Sequence, residues 1–216
     1  MILNFRNQNQ ISAYIYSEPQ KQERRLNDNE QAWLVLAQKG DDEAFTHLVE
    51  TYQKPVYNLC YRMLGDPQEA EDATQETFWR AYQGLGRYDM QRSFITWLLS
   101  IAAHYCIDQQ RRRRLPIIGL ELLPEGGAPD PTPGPERKFV RSEEDRLVRK
   151  LLGELGPQDR AALVLRYWYD FSDQEIANAL SLSVSAVKSR LHRSRQVLAQ
   201  RWKKIQPPQL MKEEAA

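Results

Sequence analysis

Four consecutive arginines, Arg111 to Arg114, follow the longest apolar segment of this 216-residue chain. Before them, Phe94, Leu98, Ile101 and Tyr105 recur at spacings of three and four, which predicts a helix with one face turned toward a core. Adjacent guanidinium groups repel one another and are best tolerated where an anion neutralises them, and a nucleic-acid backbone is the usual anion of that size. The alternative is a solvated basic helix end, which the helix dipole also favours.

A second basic segment has the layout of a helix-turn-helix. Ser172 to Glu175 form an S-x-x-E capping box that opens a short helix, and the turn at 181–183 precedes a longer one. If Val187 and Leu191 face inward, hydroxyls and cations face outward, where they suit phosphates and base edges. The outward set is Ser185, Ser189, His192, Arg193 and Gln196, with Lys188 on its flank. The pattern favours DNA reading over a structural helical hairpin, which has no need for an acid-free basic face.

Charge is segregated along the chain, although its net charge is only +1. Five acids and no base lie in residues 66–76, whereas residues 188–204 hold seven Lys or Arg and no acid. The acidic helix is a solvated face or a docking surface for a basic partner protein. Catalysis is disfavoured because no nucleophile, histidine or Gly-rich loop accompanies these carboxylates.

Cysteine and histidine usage gives no metal spacing. Cys60 and Cys106 lie far apart in the sequence, and the three histidines are at 47, 104 and 192. We therefore expect no metal or cofactor, and two buried thiols in a reducing compartment. No signal peptide is evident, and the longest apolar run, 95–103, is too short to span a bilayer, so we expect a cytoplasmic protein without membrane insertion.

The elements that carry these motifs are predicted to be helices. Gly40 ends a first helix, Asp41 or Asp42 caps the next, and Pro55 is expected to begin a further one. Gly65-Asp66-Pro67 is a turn before a helix over 69–82, and a loop holding Tyr88 precedes the arginine-tipped helix. Further helices are predicted over 142–155 and 157–169. Six prolines and four glycines mark residues 115–138 as a linker.

The predicted fold class is all-α, with two small helical domains joined by a Pro-rich linker. The predicted division of the chain is a flexible N-terminal extension (1–27), a first domain (28–114), the linker (115–138), a second domain with the helix-turn-helix (139–206) and a flexible tail (207–216).

Three motifs in this order resemble the bacterial extracytoplasmic-function (ECF, group 4) sigma factors. They are EAEDATQETFWRAY with FITWLLSIAAHYCIDQQRRRR, the Pro-rich linker, and VSAVKSRLHRSRQVL, and the resemblance covers about residues 30–204. It implies a sigma region 2 domain, a sigma region 4 domain and no enzymatic activity. The implied partners are core RNA polymerase, at its clamp helices and flap, and promoter DNA, together with an anti-sigma factor of the kind that commonly holds family members inactive.

The resemblance also implies a role for each site. The positions matching the polymerase-binding helix are Asp72, Gln75, Glu76 and Phe78. Those matching the surface that opens the promoter −10 element and captures a flipped base are Arg80, Tyr88, His104, Arg111, Arg112, Arg113 and Arg114. At 104 the family often has Asn, so this chain departs from the common pattern there. Within the helix-turn-helix, Ser185, Lys188, Ser189, His192 and Arg193 would read the −35 element in the major groove.

Two other classes of protein fit parts of the sequence. A conventional helix-turn-helix regulator would bind duplex DNA without polymerase, but the linker and the paired acidic and basic helices argue against it. A serine recombinase needs a parallel sheet around its nucleophile, and the first half of the chain shows no alternating strand pattern.

Overall fold

The computed structural model describes residues 28–114 and 146–205, which are helical apart from short turns and contain no β-strand. The all-α prediction is confirmed. The N-terminal half comprises α1 (Asp28–Gln38), α2 (Asp42–Leu64), α3 (Pro67–Gly84), a 3-10 turn (Leu85–Arg87) and α4 (Phe94–Arg114). The C-terminal half comprises α5 (146–153), α6 (Pro157–Trp168), α7 (Asp173–Leu180) and α8 (Val184–Ile205). The predicted extension 1–27, linker 115–138 and tail 207–216 lie outside the described residues.

Local capping chemistry sets the helix boundaries near the acidic face. The Asp41 carboxylate accepts a hydrogen bond from Ala44 N at 3.0 Å and so begins α2. Gly65 ends α2 with φ at 84°, a left-handed conformation that glycine adopts without steric cost. The Asp66 carboxylate then accepts from Glu69 N at 2.9 Å, with Pro67 in the first helical position of α3. These starts and stops confirm the predicted turn.

The predicted helix start at Pro55 is wrong, because α2 continues through this proline. The buried stripe runs across it without a change of phase: Leu48 and Tyr52 precede it, and Val56 and Leu59 follow it. Packing of this continuous stripe outweighs the backbone hydrogen bond that proline cannot donate.

The core face of α4 is broader than predicted. Phe94 and Leu98 are buried as expected, but Ile101 and Tyr105 are only partly buried. The helix packs against α2 and α3 on one side and against α6 and α7 on another, which buries further positions. These additional core residues are Leu99, Ala102, Ala103, Cys106 and Ile107.

The two halves share an interface that sequence analysis did not predict. Buried Arg160 of α6 donates hydrogen bonds to the carbonyl of Met63, near the end of α2, and to Gly153 O at 3.1 Å. The last carbonyls of a helix lack partners within the helix, and the Met63 carbonyl is satisfied jointly by Arg160 and by the Gln110 amide of α4, which donates to it at 2.8 Å. Tyr169 Oη donates to Pro55 O at 2.6 Å, and Arg62 stacks over the Trp168 ring at 4.9 Å. The interface is therefore anchored at several points along α2.

The two cysteines lie together in the core of the N-terminal half. Cys60 and Cys106 are both fully buried and not joined by a disulfide. The hydrogen bond between their side chains, together with burial, raises the pKa of the Cys106 thiol well above its usual value. Buried thiols of this kind are chemically inert, in line with the expectation of structural cysteines.

Candidate nucleic-acid and polymerase interfaces

The outward face of α8, here the recognition face, lies open to solvent as one surface. Its members are Ser185, Lys188, Ser189, His192 and Arg193, all exposed. Val187 and Leu191 are buried on the opposite side. Because all five side chains project from one rigid helix, they can approach a DNA groove together.

The turn before α8 fixes the angle of the recognition face. The Ser172 hydroxyl accepts from Glu175 N, while Glu175 Oε2 accepts from Ser172 N at 2.8 Å, which confirms the capping box of α7. Ser181 then takes a left-handed conformation with φ at 54°, where a glycine is the usual residue. The Ser183 hydroxyl accepts from Ala186 N at 3.2 Å at the start of α8.

Arg190 lies on α8 but does not belong to the recognition face. Its guanidinium is partly buried and donates to Asp159 Oδ1 at 2.7 Å and to Gln158 Oε1 at 2.6 Å, both on α6. Because the guanidinium is planar, two donors that bond to neighbouring side chains fix its direction as well as its distance. Arg190 therefore holds the recognition helix at a set orientation against the rest of its half.

The acidic face of α3 is exposed at Asp72 and Gln75 and partly exposed at Glu76. Phe78 differs, because its ring is only 7% exposed and lies in the core. The first three residues are thus available to a partner in this structure, whereas Phe78 supports the helix from beneath.

Arg80 lies on the border between the acidic face and α4. Its Nε donates to Glu76 Oε1 at 2.7 Å, and its guanidinium stacks over the Tyr105 ring at 5.0 Å. The side chains of Arg80 and Glu76 are both exposed enough to solvent that their ion pair contributes little to stability. A phosphate could therefore compete for this guanidinium at small cost.

The basic end of α4 is exposed and partly balanced by acids. Arg111, Arg112 and Arg113 are all accessible to solvent. Arg113 forms an ion pair with Glu69, and Arg111 lies 3.7 Å from Asp108. The side chain of Arg114 lies outside the described part of the structure. Such exposed pairs exchange readily for a stronger anion, because screening leaves each of them weak.

Tyr88 begins a short loop, residues 88–93, here called the Tyr88 loop, and its ring is closed against the protein. The ring is 6% exposed and packs on Trp97 at 4.9 Å and on Phe94 at 5.5 Å between centroids. Its hydroxyl donates to Arg92 O. Burial, followed by the nearby charge of Glu30, raises the pKa of Tyr88 to about 12. The ring must leave this position before it can stack on a base.

His104 lies almost three turns along α4 from Phe94 and is exposed. Its Nδ1 donates to Ser100 O at 2.9 Å, which leaves the other ring nitrogen facing outward. His104 is therefore accessible in the same structure in which Tyr88 is closed.

Family models identify both halves of the chain. Residues 48–115 match sigma-70 region 2, and residues 145–198 match sigma-70 region 4. The chain is 34% identical to the ECF RNA polymerase sigma factor SigW of Bacillus subtilis over 178 residues, which covers 76% of this chain and 92% of that protein. The chain belongs to the ECF sigma factors of the sigma-70 family. Factors of this family direct RNA polymerase in transcription initiation.

Other relatives agree with this assignment. The sigma factor is 32% identical to the sigma-H factor of Pseudomonas aeruginosa, with 79% of this chain and 92% of that protein covered. Among solved structures it is similar to CnrH in complex with the cytosolic domain of CnrY, at 26% identity and a TM-score of 0.63, covering 83% of this chain and all of that one. The fold is shared with RpoE of Bartonella quintana, at 19% identity and a TM-score of 0.55, covering 75% of this chain and 98% of that one.

Two other kinds of site are absent from the described ranges, 28–114 and 146–205. No helix there is long and apolar enough to cross a membrane. No group of three or more His, Cys, Asp or Glu side chains there is arranged to hold a metal ion.

The structure adds two exposed aromatic residues of the sigma factor that the sequence prediction missed. Trp79 is 57% exposed and Tyr82 is 40% exposed, and their rings stack at 6.4 Å. Tyr82 Oη also donates to Asp42 Oδ1 at 2.8 Å, which orients its ring. Helical spacing from Asp72 and Gln75 carries the acidic stripe directly to these two positions, so the periodicity of α3 was the signal that could have found them.

Proposed function

We propose that this sigma factor, as a cytoplasmic group 4 member, binds core RNA polymerase and recognises a two-part promoter. The observation that carries the proposal is the recognition face, five exposed side chains on a helix that a capping box and Arg190 hold in place. A rigid, acid-free face that presents hydroxyls and cations suits major-groove reading of the −35 element.

Polymerase binding is assigned to the acidic face of α3, with Asp72, Gln75 and Glu76 as its polar part. Trp79 and Tyr82 extend the same stripe and supply the exposed aromatic area from which protein interfaces usually draw much of their binding energy. The clamp helices are the proposed partner of this face. Phe78 supports it from the core, and region 4 would meet the flap.

Contact with the −10 element is assigned to the outer side of α4 and the Tyr88 loop. Arg80 and Arg111 to Arg114 would hold phosphates, while His104 and the released Tyr88 ring would meet the captured base. Support comes from the exposure of His104 and of the described arginines, and from the weakness of the ion pairs that now occupy them. Aromatic stacking captures unpaired bases with little sequence preference, so hydrogen bonding by His104 would supply selectivity.

An anti-sigma factor is the remaining proposed partner. The solved RpoE relative is bound to the anti-sigma factor NepR. In this chain, such a regulator would cover the exposed part of α3, because aromatic and acidic side chains there offer both anchoring area and charge.

The experiment that tests the function is a pull-down of the full chain with core RNA polymerase, followed by run-off transcription on genomic fragments. Stable association with specific transcripts supports the proposal and identifies the promoters. Tight duplex binding by the chain alone, with no association with polymerase, would instead establish a conventional helix-turn-helix regulator.

A matched pair of variants localises the polymerase contact. Asp72→Lys reverses one charge on the acidic face and should reduce retention by polymerase at least tenfold, in the range found for truncated hot-spot residues. Glu50→Lys makes the same change at an exposed position of α2 away from that face and should leave retention unchanged. Equal losses for both variants would place the contact elsewhere.

A further inference from the structure

Gln38, the last residue of α1, is hydrogen-bonded through its side chain to the backbone at the start of the Tyr88 loop. Its side-chain amide donates to Leu85 O and to Tyr88 O, both at 3.0 Å. These carbonyls lie 47 and 50 residues away in the sequence. One amide nitrogen has two hydrogens, so a single side chain satisfies both acceptors.

The two carbonyls bracket the 3-10 turn that leads into the loop. The turn itself is closed by a hydrogen bond from Tyr88 N to Leu85 O at 3.0 Å. Leu85 O therefore has a partner within the turn as well, whereas Tyr88 O, at a buried residue, accepts its hydrogen bond from Gln38. Gln38 therefore fixes the backbone segment on which the Tyr88 side chain is mounted.

The other contacts of the loop act on different atoms. The Tyr88 hydroxyl donates to Arg92 O, and Asp89 organises a local turn by accepting from Gln91 N at 3.0 Å. The first of these must break when the ring swings out. The Gln38 contacts need not break, because they hold the carbonyl of Tyr88 and leave rotation about its side-chain torsions unhindered.

We propose that Gln38 is a positioning residue for base capture: it holds the backbone of Tyr88 in place while the ring leaves its closed position and stacks on an unpaired base. This rests on the proposed −10 function of the Tyr88 loop. The benefit is preorganisation, since a loop whose first backbone segment is already fixed has less conformational entropy to lose when the nucleotide binds.

The chain offers a matched control for this inference on the same helix. Gln38→Met keeps the length of the side chain and removes both donors, and Gln38→Glu replaces the donating nitrogen by an acceptor that repels the two carbonyls. Gln31→Met and Gln31→Glu make the same changes at an exposed position of α1.

The test uses the full chain bound to core polymerase and a single-stranded oligonucleotide of the non-template −10 sequence, taken from a promoter found by run-off transcription. A second oligonucleotide carries an abasic site at the captured position. The wild type should prefer the base-containing strand. Both Gln38 variants should bind that strand roughly tenfold more weakly, because the freed backbone at Tyr88 must be ordered again when the nucleotide binds. They should bind the abasic strand as the wild type does, and the Gln31 variants should match the wild type on both.

Two results would overturn the inference in distinguishable ways. If the wild type prefers the base-containing strand and the Gln38 variants keep the full preference, Gln38 merely ties α1 to the core, even if the variants melt at a lower temperature. If the wild type itself binds both strands equally, base capture fails as a function and the role of Gln38 fails with it.

Discussion

The recognition face and the Tyr88 loop are both assigned to promoter DNA, yet they differ in how ready they are to bind it. The five side chains of the recognition face already point into solvent. Tyr88 is 6% exposed, its ring packs edge-on against Phe94 and at a tilt against Trp97, and its hydroxyl is hydrogen-bonded. Reading a duplex therefore requires no rearrangement, whereas capturing a base requires the loop to open first.

This difference matches the two states of DNA that the two surfaces would meet. Duplex DNA presents its major groove at all times, so a preformed face is sufficient. An unpaired base exists only after melting, and a ring that is buried until then does not offer an aromatic surface to other partners. Substitutions in each of the two surfaces can therefore test this contrast.

Removing charge from the recognition face should weaken promoter binding most. Lys188→Gln with Arg193→Gln should lower affinity about thirtyfold at 0.15 M salt and reduce the slope of log affinity against log salt by about 2, because two phosphate contacts are lost. Titration of labelled promoter DNA with polymerase holoenzyme measures both quantities. Lys39→Gln with Lys54→Gln removes the same charge from exposed positions elsewhere, and an equal loss for that pair would show a non-specific charge effect.

Two substitutions of Tyr88 should act in opposite directions if the ring is both closed and functional. Tyr88→Ala should reduce open-complex formation about tenfold, since base–aromatic stacking is lost. Tyr88→Phe keeps the ring but removes the hydrogen bond to Arg92 O, and should speed opening by roughly twofold to tenfold. Permanganate reactivity of the melted strand follows opening, and polymerase retention should stay unchanged. Equal losses for Ala and Phe would mean that Tyr88 serves packing alone.

The orientation of the recognition face depends on α7, the short helix that precedes α8. Ser172→Ala removes half of the capping box of α7 and should lower the free energy of unfolding by about 1 kcal/mol. Denaturant titration of the full chain measures this loss. Ser189→Ala, an exposed serine on α8, should change stability by less than about 0.5 kcal/mol. A cap contribution no larger than that of Ser189 would show that packing alone orients the recognition helix.

The smallest effect is expected at Glu30, a buried carboxyl near the Tyr88 loop. Burial raises its pKa above the usual value, although the hydrogen bond with Tyr52 opposes the shift. A raised folded-state pKa means that the fold favours the protonated acid, so stability is lost as pH rises through that pKa. Glu30→Gln should therefore raise the melting temperature slightly at pH 8, and the gain should vanish below the unfolded-state pKa of about 4.3. Exposed Glu50→Gln serves as the control, and a constant gain at every pH would contradict the assignment.

The features that the sequence predicted correctly are those whose cause is local. Asp66 with Pro67, and Ser172 with Glu175, mark helix starts because each cap is made within four residues. The orientation of the recognition face followed from periodicity alone, since Val187 and Leu191 are buried as expected. Membership of the sigma factors was carried by motifs of this local kind.

The features that escaped prediction depend on contacts between distant segments. Pro55 is a good local signal for a helix start, but buried residues on both sides of it keep α2 continuous. The closed ring of Tyr88 depends on Phe94 and Trp97, and the contacts of Gln38 span about fifty residues. No spacing rule reports such pairs. The roles assigned to individual DNA and polymerase contacts stay predictions.

The hydrogen bond from Arg160 to the carbonyl of Met63 helps to join the two halves and so limits the distance that the molecule can span. A compact body of about 150 residues measures roughly 40 Å across, whereas elements centred near −35 and −10 lie about 25 base pairs, or roughly 85 Å, apart. A molecule whose halves stay joined as they are here is too short to span both elements of the proposed promoter. The 31 residues from 115 to 145 have a maximum reach of about 100 Å. Under the proposed function, the two halves must therefore separate before one chain can contact both elements, and this separation breaks the hydrogen bonds of Arg160 and Tyr169 to α2.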